Sequence, residues 1–238
     1  MNVSIDDFKE GQLLLIDKPL KWTSFQVVNK LRWLISNTFK VKKIKVGHAG
    51  TLDPLASGLL LICTGKMTKK IEEYQGMPKE YTGTFTVGAT TPSFDMETEI
   101  NQNFPSDHIT EGFIIETTQN FLGEIDQKPP LYSAIKKDGD RLYDIARRGE
   151  TTEIASRKVS IYTFEITEVN LPYISFRITC SKGTYIRSIA DDFGRALNSG
   201  AYLSALRRTK IGDYSVENAI SPIKFQENLT GIMVENQT

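Results

Sequence analysis

"VSIYTFEITEVNLPYISFRITCSKG", residues 159–183, holds two runs rich in β-branched and aromatic residues with a Leu171-Pro172 step between them. Such runs bounded by turn residues read as two strands joined by a turn. A helix follows at "TYIRSIADDFGRALN" (184–198), and a last strand near "ALRRTKIGDYSV" (205–216). Upstream, "GQLLLID" is a short apolar strand that turns at Lys18-Pro19. Thr23 or Ser24 then caps a helix whose Val27, Val28, Leu31, Leu34 and Ile35 repeat at helical spacing. "LLLICTG" (59–65) reads as a buried strand, "MTKKIEEYQ" (67–75) as a short helix, and "EYTGTFTVG" (80–88) as a half-buried strand of period two. "ITEGFIIETTQNFLG" (109–123) has Ile109, Phe113, Thr117 and Phe121 at four-residue steps and Gly123 as a stop, which predicts a helix. Strands and helices do not alternate regularly, so the expected class is α+β, with a mixed or antiparallel central sheet and flanking helices.

The 238 residues are 39% apolar, enough for a sizeable core. The acidic start lacks the pattern of a secretory signal, and no apolar run is long enough to cross a bilayer, so a cytoplasmic protein is expected. Cys63 and Cys180 lie far apart, with only His48 and His108 beside them, and no metal site is expected. Net charge is zero but segregated. Residues 93–126 carry eight acids and no Lys or Arg, "KVKKIK" (40–45) carries four lysines and no acid, and residues 182–210 carry six bases against two acids. A polyanion held in one orientation fits such a distribution, as do solvated helix faces.

"VGHAGTLDPLASGLL" (46–60) sets Asp53 in a loop with His48, Gly47, Gly50 and Gly58. An isolated Asp-Pro step is commonly a turn or a helix cap. Here the glycines allow unusual backbone or the close approach of a ligand. An aspartate, with an ordinary pKa of ~3.9, is already ionised at neutral pH and needs no activation as nucleophile or base, although burial makes it require a nearby cation. Arg187 in "SKGTYIRS" is one candidate; taken alone, Arg187 reads as a surface charge and Tyr185 as a core aromatic. Other chemistries lack their residues. "GLLLICTGKM" has the wrong glycine spacing for a phosphate loop, no GxGxxG occurs, and no second carboxylate stands in a motif that would suit a retaining glycosidase.

Taken together, "LLLIDKPLKWTS", "VGHAGTLDPLASGLL", "KEYTGTFTVG", "YSAIKKDGDRLYDIARRG", "CSKGTYIRSIADDFG" and "LSALRRT" resemble the bacterial TruB family of tRNA pseudouridine synthases, in the family's order over most of residues 11–215. Another pseudouridine synthase family places its aspartate after an arginine; here Leu52 follows Thr51. The resemblance implies a pseudouridine synthase fold and isomerisation of uridine 55 in the T-loop of tRNA by base flipping, without cofactor or metal. It implies that Asp53 is catalytic, that Tyr81 stacks on the target base, and that Arg187 pairs with the aspartate. Tyr185 and Leu206 match pocket positions, His48 the histidine implicated in flipping, and Lys18 a lysine beside the site. The excursion 124–150 resembles an RNA-binding thumb, with Lys136, Arg141, Arg147 and Arg148 as phosphate contacts. The expected organisation is a catalytic domain over residues 1–220 followed by a short tail, 221–238, without the PUA domain that many relatives carry. The expected partner is the tRNA T-arm; a monomer is expected, with no membrane and no obligate protein partner. A non-catalytic RNA-binding protein or tRNA chaperone, and a guide-RNA-dependent relative, are the competing readings.

Overall fold

The computed structural model describes residues 4–133, 135–137 and 139–235. In chain order its elements are α1 (Ile5–Glu10), β1 (Leu13–Lys18), α2 (Ser24–Thr38), β2 (Val46–His48), β3 (Ala56–Thr64), α3 (Ile71–Gly76), β4 (Lys79–Val87), β5 (Ala89–Thr90), β6 (Gln102–Asn103) and α4 (Glu111–Thr118). Then follow β7 (Gly123–Gln127), β8 (Lys136–Lys137), β9 (Asp140–Arg141), α5 (Leu142–Arg147), β10 (Arg157–Asn170), β11 (Tyr173–Cys180), α6 (Ile186–Ala196), β12 (Ala201–Ile211), β13 (Tyr214–Ser215) and α7 (Pro222–Glu235). The chain divides into two compact units, one made of the residues up to Glu80 with those from Arg207 onward, the other of Tyr81–Leu206.

In the first unit β3 lies between β1 and the end of β12. It pairs antiparallel with β1, from Leu13 opposite Cys63 to Lys18 opposite Gly58, and β2 also pairs with it antiparallel. Both faces of β3 are covered. Leu60 and Ile62 meet Phe8, Val27, Leu31 and Ile35, whereas Leu59, Leu61 and Cys63 meet Tyr74 and Ile211. Two-sided burial is why this segment reads as an unbroken apolar run rather than an alternation. Helix α2 starts at Thr23, whose hydroxyl accepts from Gln26 N while the Gln26 amide reaches back to Thr23 N, a reciprocal cap. Residues 222–235, read from the sequence only as a tail, form α7; its Phe225 and Leu229 are buried in the core that α2 lines. Helix α1 was equally unmarked, being only six residues long and held by a Ser4–Asp7 capping box.

The second unit carries the sheet order β12-β4-β11-β10-β7. Strands β10 and β11 pair antiparallel across the turn at Leu171-Pro172, as residues 159–183 predict, and β7 pairs antiparallel with β10. Their shared face is an aromatic core. Phe85 stacks on Phe176 with centroids 4.1 Å apart, Phe164 and Phe193 close around them, and Phe193 arrives from α6. The helix predicted over 109–123 ends earlier, at Thr118 with a 3₁₀ turn to Phe121, because Gly123 (φ +86°) opens β7 instead of ending a helix. The expected α+β class with a mixed or antiparallel sheet holds. Among the described residues no helix is long and apolar enough to cross a membrane.

Candidate active site

Asp53 lies in the loop between β2 and β3, which the first unit holds from three directions. From α2, the Ser24 hydroxyl accepts from Leu52 N at 2.8 Å and donates to Leu52 O at 3.1 Å, so the residue before Asp53 has both backbone groups bound by one buried side chain. From the turn after β1, Lys21 N donates to Pro54 O at 2.8 Å, and within the loop Ala56 N donates to Asp53 O at 3.0 Å. From β12, the guanidinium of Arg208, 1% exposed, donates from Nε to Leu59 O (2.8 Å), from Nη2 to Gly50 O (3.2 Å) and from Nη1 to Thr51 O (3.4 Å). Two of the three motif glycines take backbone that other residues avoid, Gly50 at φ +93° and Gly58 at φ +106°, while Gly47 sits in ordinary β2 geometry. At Gly58 the reason is also spatial, since a Cβ there would collide with the Arg208 backbone. The glycine therefore admits the strand that delivers the arginine.

Lys18 ends β1 with no exposed surface, and its ammonium donates to Trp22 O (2.6 Å) and Pro19 O (3.0 Å). Burial pulls its pKa down from the ordinary 10.5 to about 8; the Asp53 carboxylate opposes that shift and the Arg208 cation adds to it. Lys18 and Asp53 thus feel one another's charge. His48, at the end of β2, is half-buried, and desolvation, with Arg208 adding to it, lowers its pKa below the ordinary 6.5, so the ring is neutral at neutral pH. The lysine gives a pH prediction. Folded, it releases its proton near pH 8; unfolded, it keeps it to about 10.5, so the unfolded chain binds more protons in that window and this group's contribution to stability rises with pH across it. In Lys18→Met that rise, about 2 kcal/mol, is expected to vanish, which urea unfolding of both proteins at pH 7.5 and 10.5 (chosen to bracket the window) would measure as a difference.

The other predicted site residues lie in the second unit. Tyr81, in β4, is 9% exposed. Tyr185 caps the start of α6 with its backbone fixed by the fully buried Gln127, whose Oε1 accepts from Tyr185 N (2.8 Å) and whose Nε2 donates to Tyr185 O (3.0 Å). Its ring carries the Arg157 guanidinium 4.6 Å from the centroid. Arg187 is 4% exposed, so it is not the surface charge that its isolated reading gives. It sits 3.5 Å from the equally buried carboxylate of Asp95 and donates to Tyr132 O at 2.9 Å. Leu206 is half-buried in β12. In the thumb segment Arg141 bonds the Tyr143 hydroxyl, Arg147 pairs with Glu97 (3.0 Å) and Arg148 with Asp140 (2.9 Å) and Glu150 (3.0 Å), all exposed; the Lys136 side chain lies outside the described residues.

A profile of the TruB family pseudouridylate synthase N-terminal domain matches residues 37–186. The tRNA pseudouridine synthase B of Flavobacterium johnsoniae is 67% identical over 225 residues, 94% of this chain and 98% of that protein. The chain belongs to the TruB family. The protein of the same name from Phocaeicola vulgatus is 56% identical over 93% of this chain and 94% of its own length. Among solved structures, a chain of the crystal structure of a Cbf5-Nop10-Gar1 complex matches with a TM-score of 0.68 and 30% identity, over 92% of this chain but only 54% of that one. Pseudouridylate synthases are isomerases, and this TruB-family chain is an enzyme of that kind with the pseudouridine synthase fold.

Sequence reasoning missed four supporting residues, two in each unit. Arg208, Ser24, Gln127 and Asp95 hold the loop and the α6 start rather than face a substrate. The doubled Arg207-Arg208 carried a usable signal: neighbours in a strand point to opposite faces, so one of the two had to turn inward. Arg207 stays out and forks onto Asp17 at 2.7 and 3.0 Å. Asp95 was hidden among the eight acids of residues 93–126, a stretch without Lys or Arg in which no single acid stands out.

Proposed function

We propose that this TruB-family chain is a tRNA pseudouridine synthase that converts uridine 55 of the T-loop, with Asp53 as its catalytic residue. In this isomerisation the N1–C1′ glycosidic bond breaks, C1′ joins C5 of the same base, the C5 proton leaves and N1 gains one. Atoms balance without oxidant, reductant or metal. The observation that carries the reading is the Asp53 loop itself: a carboxylate whose neighbouring backbone is fixed by Ser24, Lys21 and Arg208, with the buried Lys18 charge beside it. Fixing the carboxylate before substrate arrives lowers the entropic cost of reaching a strained transition state. The uridine must leave its stack at a cost of a few kcal/mol, and stacking on Tyr81, worth about 1–3 kcal/mol, offsets much of it. By the family resemblance, Tyr185, Leu206 and Arg187 of the second unit and a neutral His48 of the first take part in substrate binding.

The thumb, residues 124–150, supplies phosphate contacts through Arg141, Arg147, Arg148 and Lys136. Arg147 and Arg148 rest on exposed carboxylates in pairs worth about 0–1 kcal/mol, which phosphate can displace at little cost. The enzyme acts in the cytoplasm on tRNA as a monomer, without cofactor. The test is tritium release from C5-labelled uridine in an unmodified tRNA transcript and in one with cytidine at position 55. Release only from the uridine 55 transcript is expected. Binding of tRNA without release would instead support a non-catalytic RNA-binding protein.

A further inference from the structure

From Lys18 to Leu52 the chain has eight basic residues and no Asp or Glu. Lys18 is buried, but Lys40, Lys42, Lys43 and Lys45, in the turn that leads from α2 to β2, are exposed, and none of them forms an ion pair among the described residues. The acids of α1, which approaches this turn through the Phe8–Phe39 contact, are taken up elsewhere: Asp6 by Lys9, Asp7 by the Ser4 cap, Glu10 by Lys66. This contrasts with the thumb, whose Arg147 and Arg148 are already neutralised. A charged turn left without counter-charge is a site for an external anion.

Helix α2 leads to it. Its buried side carries Val27, Val28, Leu31, Leu34 and Ile35, and its outer face carries Phe25, 61% exposed, and Trp33, 58% exposed, with Asn29 between them. The rings are eight residues apart on one face, about 12 Å along the axis, too far to form one apolar patch. Lys30 sits with Nζ 5.4 Å from the centre of the Trp33 ring. The helix begins at Ser24, which grips the Asp53 loop, and runs about 22 Å to the lysine turn. Spaced aromatic platforms, amides and bare lysines, with no acid among them, suit a polynucleotide: bases stack in any sequence and phosphates take the charge.

We propose that the outer face of α2 and the lysine turn form a second RNA-binding track, separate from the thumb, on which bases flanking the target stack on Phe25 and Trp33 and phosphates meet Lys40, Lys42 and Lys43. This rests on the reading of the chain as an RNA-modifying enzyme. The test compares wild type, a Lys40→Ala/Lys42→Ala/Lys43→Ala variant and Trp33→Ala, all surface changes, with thermal unfolding to confirm the fold. Binding to an unmodified tRNA transcript is measured across a salt series, beside tritium release by the wild type. The triple variant is expected to bind about tenfold more weakly near 0.1 M salt, with a log–log salt slope shallower by about 2–3. Trp33→Ala is expected to bind about tenfold more weakly with its slope unchanged. Affinity and slope equal to wild type in both variants, while wild type makes pseudouridine, would overturn the track and leave the enzyme reading standing. Weakened binding by both variants with no tritium release by wild type would support the track and sink the enzyme reading. Changed sedimentation with unchanged RNA binding would make the face a protein contact and overturn the proposal.

Discussion

Asp53→Asn is expected to lose turnover by at least about a thousandfold, within the range that removal of a catalytic acid–base or nucleophilic group costs, while tRNA affinity stays within a few-fold of wild type. The substitution keeps the side chain's size and its place in the loop. The loop backbone is held by other groups: Ser24 and Lys21 bind residues 52 and 54, and Arg208 binds residues 50 and 51. What changes is the charge that Lys18 faces, so the lysine loses the carboxylate that favours its protonated form and its pKa falls below the present value of about 8. Single-turnover tritium release and filter binding on the same preparation separate the two effects. Release at more than a tenth of the wild-type rate would remove Asp53 from the chemistry.

Arg208→Ala is expected to destabilise the fold by about 4 kcal/mol, among the larger effects a single substitution produces. The guanidinium bonds three carbonyls of one loop and strand from an almost fully buried position. Its loss leaves those acceptors unmet at roughly 1–3 kcal/mol each, with water entering the space recovering part. Arg208→Lys is expected to restore little, because a point ammonium does not reach three divergent carbonyls as a planar fork does. A second readout follows from electrostatics: Arg208 depresses the pKa of both Lys18 and His48, so in the alanine variant the His48 resonance in NMR should titrate at higher pH. Denaturant unfolding measures the first effect. A loss below about 1 kcal/mol would show that Ser24 and the turn bonds hold the loop by themselves.

Much of the architecture was legible because local signals agreed with the fold. The strand pair 159–183, the apolar stripe of α2, the Thr23 cap and the run of β3 all expressed burial or backbone chemistry in neighbouring residues. Helices α1 and α7 were not legible for the opposite reason. Their stability comes from placing Phe8, Phe225 and Leu229 into a core that α2 and β3 build, which a short window does not show. The extent of the 109–123 helix was overridden by sheet pairing, since Gly123 serves β7 against β10.

The site divides the same way. Sequence by itself supplied the proposed reacting group and its surroundings, an aspartate among glycines with Lys18 and His48 on flanking strands, because those residue types carry their chemistry wherever they lie. Tertiary structure decided the state of that chemistry. It made Lys18 a desolvated cation, set Arg187 against Asp95 and turned Arg208 inward onto three carbonyls. Charge state and hydrogen-bond satisfaction depend on which atoms exclude water from a group, and in the Asp53 loop those atoms come from a residue up to 158 positions away in the chain.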